Sequence, residues 1–570
     1  MRKILTIFLL LACSLVAEAD KWYIATAANG GSDTNGDGSI SAPWLTLKHA
    51  CDTVTGANFV GDTIVVGAGT FSEPVQITLG VGVSIKGAGV TTILNIEYVS
   101  PSFSLGFNHG GLLLASASEN TAGNQSISHL KFDGDSVGTN AIMIKNRGRV
   151  KVHDCTFIDF LWNGVAFINA PNAVTPPTTR AVGNMLYDCI IDNCTDSAGS
   201  WRSFGLIGAI GQDSLIIHDN LLYANKRAEG YNGDIFTSGG QGFCRRIKYY
   251  NNKSWKPDYD GQTWNFHLEL FNNYGGSEIY NNEFYGGDCV IDITGMYENI
   301  KGDDDYSYKI YGNFFTGTPV QTYHGKYTID IEGEVNEDIY IYRNHFLNLP
   351  LPLHTTDNTY APSETRRVYF YYNILENLGW NSSAKYESCI NLRNGNAASI
   401  LEDIYIYNNV IESDGVTHTA AFSINPVGAI TNLMIKNNII TGHTNGSYML
   451  IDNDGTIDNF EVMNNITYGN SNSNNILWQT VGDSLNVSIT GNIKADPLFR
   501  STSDFHLQST SPAINAGIDV SAITGGLDFH GASLYGAAYD IGAFEYGVGR
   551  MVNIGTTIPT INYKIVLIDH

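Results

Sequence analysis

The sequence predicts an all-β solenoid, a parallel β-helix of about thirteen coils stacked on an internal asparagine ladder. Three observations lead there. First, the string apolar-x-x-Asn-x-apolar recurs as IHDNLL, IYNNEF, IYGNFF, IYRNHF, FYYNIL, IYNNVI, IKNNII and VMNNIT. Its asparagines are Asn220, Asn282, Asn313, Asn344, Asn373, Asn409, Asn438 and Asn465, with looser copies at Asn252 and Asn492. Second, successive copies lie 27 to 36 residues apart, and each unit offers three short strands separated by turns. A propeller blade needs four strands and usually ~40–45 residues, so one coil of a β-helix fits better. Third, the 570 residues include 60 glycines and 32 tyrosines but only 15% charged residues, a turn-rich and strand-rich composition.

Each element then has a physical reading. In residues 1–19, Arg2 and Lys3 precede an apolar run from Ile4 to Val16 and an A-x-A site ending at Ala19. That reads as an export signal, too short to span a membrane. Leu10-Leu11-Ala12-Cys13 also resembles a lipoprotein box, so lipidation of Cys13 is the alternative route to the cell surface. Residues 20–60 hold an N-terminal strand, a loop and a cap helix, because Trp44 to Val54 has helical spacing. Asp33, Asn35 and Asp37 match half of a DxNxDG calcium loop, but Trp44 stands where the bidentate glutamate belongs, so the stretch reads as a glycine-rich turn. Residues 61–495 are the coils. In them an inward asparagine at a fixed corner can bond its equivalents ~4.8 Å above and below. Residues 496–546 are expected to cover the open terminal edge. The tail 547–570 is apolar and has no assigned role.

Seven cysteines follow the signal, with no CxxC pair, which argues against a disulfide framework or zinc ribbon. Cys155 and Cys189 occupy the ladder position upstream of Asn220, either bridged or as buried thiols. The net charge of −24 argues against nucleic acid and anionic membranes as partners. No later segment is long enough to cross a bilayer, and a monomer is expected.

The repeat, the opening YIATAANGGSDTNGDGSISAPWLTLKHA and the closing DPLF, DFHLQSTSPAINAG and DIGAFEY resemble the right-handed parallel β-helix superfamily of pectate lyases and their relatives. That resemblance covers almost the whole mature chain and implies the right-handed fold and an extracellular polysaccharide as partner. It implies a groove along one strand column, where acidic side chains hold Ca²⁺ and a base abstracts a proton. The WxDH and RxPxxR signatures of pectate lyases are absent, as are those of polygalacturonases and alginate epimerases.

The apolar-x-apolar cores GDI, LEL, IDI, IDI, LHT and INL place Asp234, Glu269, Asp292, Asp330, His354 and Asn391 on one outward column, about one coil apart. By the same alternation His267, Glu332 and Arg393 share that face. Stacked like charges repel, so the carboxylates need a cation, raised pKa values or solvent. The expected site has His267, Glu269, Asp292, Asp330, Glu332 and Arg393 in catalysis, with Glu269, Asp292 and Asp330 as ligands for Ca²⁺. Asp234, Lys226, Arg227, His324, Lys326, His354 and Asn391 would bind substrate, the basic cluster of residues 226–256 bordering the column. Three functions follow: a calcium-assisted lyase for a uronate-containing glycan, an inverting glycoside hydrolase with Asp330 or Glu332 as acid and Glu269 as base, or a non-catalytic glycan-binding adhesin.

Overall fold

The structure is a computed structural model. It describes residues 19–547 except 101–108, 172–174, 195–204, 224–234, 238–241, 257–265, 287–288, 296–306, 318–326, 350, 356–362, 379–387, 414–419, 444–448, 452–454, 470–477, 480–482 and 534–535. Among the described residues, the chain winds into three parallel sheets of 16, 14 and 15 strands, each strand pairing with its equivalent one coil away. Fourteen coils therefore complete all three sheets, one more than the repeat predicts. The first sheet begins earlier than expected, because Lys21–Ile24 pairs in register with Thr63–Val66.

The ladder explains why the coils stay in step. The Oδ1 of Asn313 accepts from both the backbone N–H and the Nδ2 of Asn282, while Asn282 Nδ2 also donates to Tyr249 O. The same pair of bonds links Asn220, Asn252, Asn282, Asn313, Asn344, Asn373, Asn409, Asn438, Asn465 and Asn492 in sequence, at 2.8 to 3.2 Å. Every amide hydrogen in this buried corner is thus satisfied without water. The residue before each ladder asparagine is left-handed, from Asn251 and Asn281 to Asn408, Asn437 and Asn464. Asparagine, aspartate and glycine tolerate that turn best, which is why the motif so often reads N-N, D-N or G-N. Upstream, Cys189 N donates to Asn220 Oδ1, so the ladder starts on a thiol corner; Cys155 and Cys189 are free and buried.

Inside the coils, isoleucine, leucine and valine rows form one continuous core, with Phe284, Phe315 and Phe346 stacked at 5.0 and 4.9 Å. At the N-terminal end the cap helix runs Leu47–Thr53, burying Leu47, Ala50 and Cys51, with Thr46 accepting from His49 N. Asp33 takes Leu45 N and Thr46 N on one oxygen and Thr46 Oγ1 on the other, a role in the turn that needs no ion.

The closing segment departs from expectation. It runs back along the corner between the first and third sheets instead of crossing the terminal edge. Phe505, Leu507, Ile541 and Phe544 pack on Ile374, Val410, Ile439 and Ile466, and Arg343 donates to Asp528 O and Leu527 O. On the last coil Val487 and Ile489 are 40% and 39% exposed, where the preceding coil buries Phe460 and Val462. The second sheet is left to the acidic column. Residues 1–18, with most of the expected export signal and Cys13, and 548–570 lie outside the described residues.

Asn344→Ala removes the acceptor of the Asn313 N–H and of one Asn313 Nδ2 hydrogen, and the donor to Ile310 O, while Asn373 Oδ1 keeps the backbone N–H of residue 344. Denaturant unfolding is expected to show a loss of about 2–4 kcal/mol.

Candidate active site

The second-sheet register brings distant acids together. Thr237, Glu269, Asp292, Asp330, His354, Asn391 and Ser423 are successive partners on adjacent coils. Thr237, not Asp234, pairs with Glu269; Asp234 stands three residues earlier, outside the described residues. Lys226, Arg227, His324 and Lys326 also lie outside them.

The column faces away from the core, since Leu268, Ile291 and Ile329 beside it point inward. It is not a solvated stripe, however. Asp292, Asp330, His354 and Asn391 are each 3% exposed or less, and Glu269 and Glu332 are half-buried. Part of the cover is apolar. Phe266, Cys289, Tyr327 and Leu351 form a separate cluster, and the Tyr327 ring stacks on His354 at 4.0 Å.

That cluster also explains why His267 does not share the face of Glu269. The alternation breaks at this corner. Val290 and Ile291 both enter the core, and so do His267 and Leu268. His267 is fully buried, with Nδ1 at 2.8 Å from Ser254 Oγ and Nε2 at 2.9 Å from Gly286 O, its ring edge-on to Phe284. Burial, with nearby Lys256 adding to it, pushes its pKa down to about 3. It is a neutral brace between the second and third sheets, not a catalytic base. Apart from buried Lys256 near His267, other described basic residues of 226–256 are also elsewhere: Arg245 and Arg246 clamp Asp213 beside the first sheet, and Lys253 pairs with Glu283 on the third.

Four carboxyls remain on three adjacent coils. Asp292 is pushed well above the usual carboxylate range by burial and then by Glu332, Asp330 and Glu269. Glu332 rises to about 7 through burial and the charge of Asp330, with the Thr294 hydrogen bond opposing. Thr294 Oγ1 lies 2.9 Å from Asp292 Oδ2 and 3.3 Å from Glu332 Oε1. One hydroxyl hydrogen cannot serve both acceptors, so this arrangement favours a proton held on one of the two acids. On the strand of Glu332, Asp330 Oδ1 meets Nδ1 of His354, one coil further on, at 2.9 Å. Arg393 lies on the flanking column, paired with Asn425, two coils beyond the row of Thr294 and Glu332. Among the described residues, the three metal-ligating side chains whose donor atoms converge within 4.8 Å are His129, His153 and Asp154, not the predicted acidic triad.

Sequence reasoning missed one feature of the first sheet that the repeat displays. The residue two before each ladder position is aromatic over nine coils, from His153 to Tyr407, and the first eight rings form one stack. His153, Tyr187, His218, Tyr250, Tyr280, Tyr311, Tyr342 and Tyr371 stack face to face at 4.8 to 5.0 Å. Their faces are occupied by one another, so within the stack they offer edges and hydroxyls to solvent. A cavity of about 570 Å³ beside them is lined by Ser307, Lys309, Asp338, Tyr340, Tyr342 and Tyr371.

With this geometry in hand, the chain can be set beside known proteins. A family model described as "Disaggregatase related" matches residues 336–525, about a third of the chain. No curated protein matches. Solved structures that resemble it include the alginate lyase of Paenibacillus sp. str. FPU-7, at 14% identity over 62% of this chain and 95% of that one, with a TM-score of 0.34. The A-module of Azotobacter vinelandii mannuronan C-5 epimerase AlgE6 shares 14% identity over 82% and 97%, with a TM-score of 0.34. The DFA-IIIase of Arthrobacter chlorophenolicus A6, without its lid and in complex with GF2, shares 13% over 65% and 94%, with a TM-score of 0.40. None of these likenesses bears on chemistry; the β-helix itself is read from the three sheets.

A carboxyl raised in the folded state binds its proton more tightly there than in the unfolded chain. The contribution of Glu332 to stability is therefore fully present below its ordinary value of 4.5 and is lost as pH rises to about 7. Glu332→Gln removes that loss. Denaturant midpoints are expected to show the variant on the order of 2–3 kcal/mol more stable than the parent at pH 8, and nearly equal to it at pH 4.5.

Proposed function

We propose that the protein is an exported enzyme that cleaves a uronate-containing extracellular polysaccharide by β-elimination at the second-sheet column. The observation that carries this reading is the Asp330–His354 pair, beside Asp292 and Glu332, which share one hydroxyl hydrogen from Thr294. β-Elimination needs a base for the proton α to the uronate carboxylate, relief of that carboxylate's charge, and a proton for the departing glycosidic oxygen. Donation from His354 Nδ1–H to Asp330 would orient the imidazole, the group that this reading assigns as the base. Protonated Asp292 or Glu332 can donate to the uronate carboxylate, the imidazolium formed when His354 takes the α-proton can return that proton to the departing oxygen, and Arg393 and Asn391 lie further along the same face. Glu269 and Glu332, the half-buried members, mark where solvent reaches the column.

Calcium suits the ligand type of this set, although the three side chains would have to draw together to hold it. Glu269, Asp292 and Asp330 offer hard oxygens, and Asp292 Oδ1 is buried with no hydrogen-bond partner. When bound, Ca²⁺ would neutralise the uronate and acidify its α-proton.

The pKa of Glu332 also favours a second reading, an inverting hydrolase in which Glu332 protonates the glycosidic oxygen and Glu269 activates water. One experiment separates the readings. The purified protein is incubated with pectate, alginate, a glycosaminoglycan and neutral glycans, with and without EDTA. The lyase reading expects ultraviolet-absorbing unsaturated ends, at least ~100-fold fewer with His354→Ala. New reducing ends without unsaturation would establish the hydrolase, and binding with no cleavage would leave an adhesin. Loss of activity in EDTA that Ca²⁺ restores would assign the metal.

A further inference from the structure

We propose that His129, His153 and Asp154 form a binding site for a divalent transition ion, Zn²⁺ foremost, on the first sheet several coils before the acidic column. The three side chains come from two adjacent coils. Ser128, just before His129, pairs with His153, so the left-handed corners of His129 and Asp154 stack directly. Their donor atoms lie within 4.8 Å of one another.

Each ligand is held by something other than a metal. His153 is fixed by face-to-face stacking on Tyr187 at 4.8 Å and by Asp154 Oδ2, 2.7 Å from its Nδ1. His129 stands edge-on to His153, with ring centroids 6.0 Å apart. Its Nδ1 is buried and has no hydrogen-bond partner. An imidazole nitrogen shut off from water and left unpaired costs free energy that a metal bond would recover.

The molecule contains its own control. His218 and Asp219 repeat the His153–Asp154 arrangement two coils on, at 2.6 Å and likewise stacked on Tyr187. There the neighbouring corners are Asp188 and Asn251, with no second imidazole. A histidine–aspartate pair is thus part of the ladder by itself, and His129 is what turns one copy into a three-ligand set. Two imidazoles and one carboxylate match Zn²⁺, which takes three protein ligands and leaves a fourth position open. Bound there, the ion would tie two successive coils of the first sheet together.

The test uses the full chain without a histidine tag, stripped with EDTA and dialysed. Zn²⁺ is titrated by calorimetry and by competition with a chromophoric chelator. His129→Asn keeps a residue that tolerates the left-handed corner, and Asp154→Asn does the same. The proposal expects one Zn²⁺ per chain, affinity at least tenfold weaker in both variants, and unchanged affinity in His218→Ala. It also expects Zn²⁺ to raise the thermal midpoint of the parent but not of His129→Asn. Absence of stoichiometric binding, or equal binding by the parent and both variants, would overturn it.

Discussion

Coil-to-coil register is the constraint on which the rest of this protein depends. Parallel pairing sets each residue ~4.8 Å from its equivalent on the next coil, and the asparagine ladder locks the phase by using both amide hydrogens and the carbonyl oxygen at every corner. Once the phase is fixed, a residue type repeated at one position becomes a column whatever its chemistry. The protein has an amide column in the corner, a phenylalanine column in the core, an aromatic column outside the first sheet and an acidic column outside the second. The first three gain from stacking. The acidic column does not, because like charges in register repel and this one is also shut away from water.

That conflict gives the column its chemistry. Burial and like charge push Asp292 and Glu332 toward the protonated form, Thr294 links the two acids, and Asp330 engages His354. The same burial that disfavours ionised carboxylates creates proton donors near neutrality and an oriented imidazole alongside. A cation supplied from solution would relieve the same conflict differently, which is why the effect of calcium and the protonation state of the column are coupled questions.

Much of this was legible in the sequence, and the failures have local causes. The repeat gave the solenoid, and the apolar-x-apolar cores gave the pairing of Glu269, Asp292, Asp330, His354 and Asn391, because strand alternation holds strictly over three residues. It fails at the sheet corner, where two consecutive residues turn inward. His267, two positions from Glu269, therefore lies in the core. Thr237 rather than Asp234 fills the first rung, because the GDI core puts the outward residue three positions too early while the register pairs Thr237 with Glu269. Burial could not be read at all: alternation tells which face a side chain takes, not whether Phe266 and Tyr327 will cover it. The aromatic residue two before each ladder position from Cys155 to Asn409 is a second period in the same repeat, legible without the structure.

The central claim, that coil stacking forces buried carboxyls to keep a proton at neutral pH, can be measured directly. Infrared difference spectra of the parent against Asp292→Asn and Glu332→Gln at pH 6 report the carbonyl stretch of protonated carboxylic acid. The account predicts such a band in the parent, diminished in the variants. A parent spectrum containing only ionised carboxylate would contradict it.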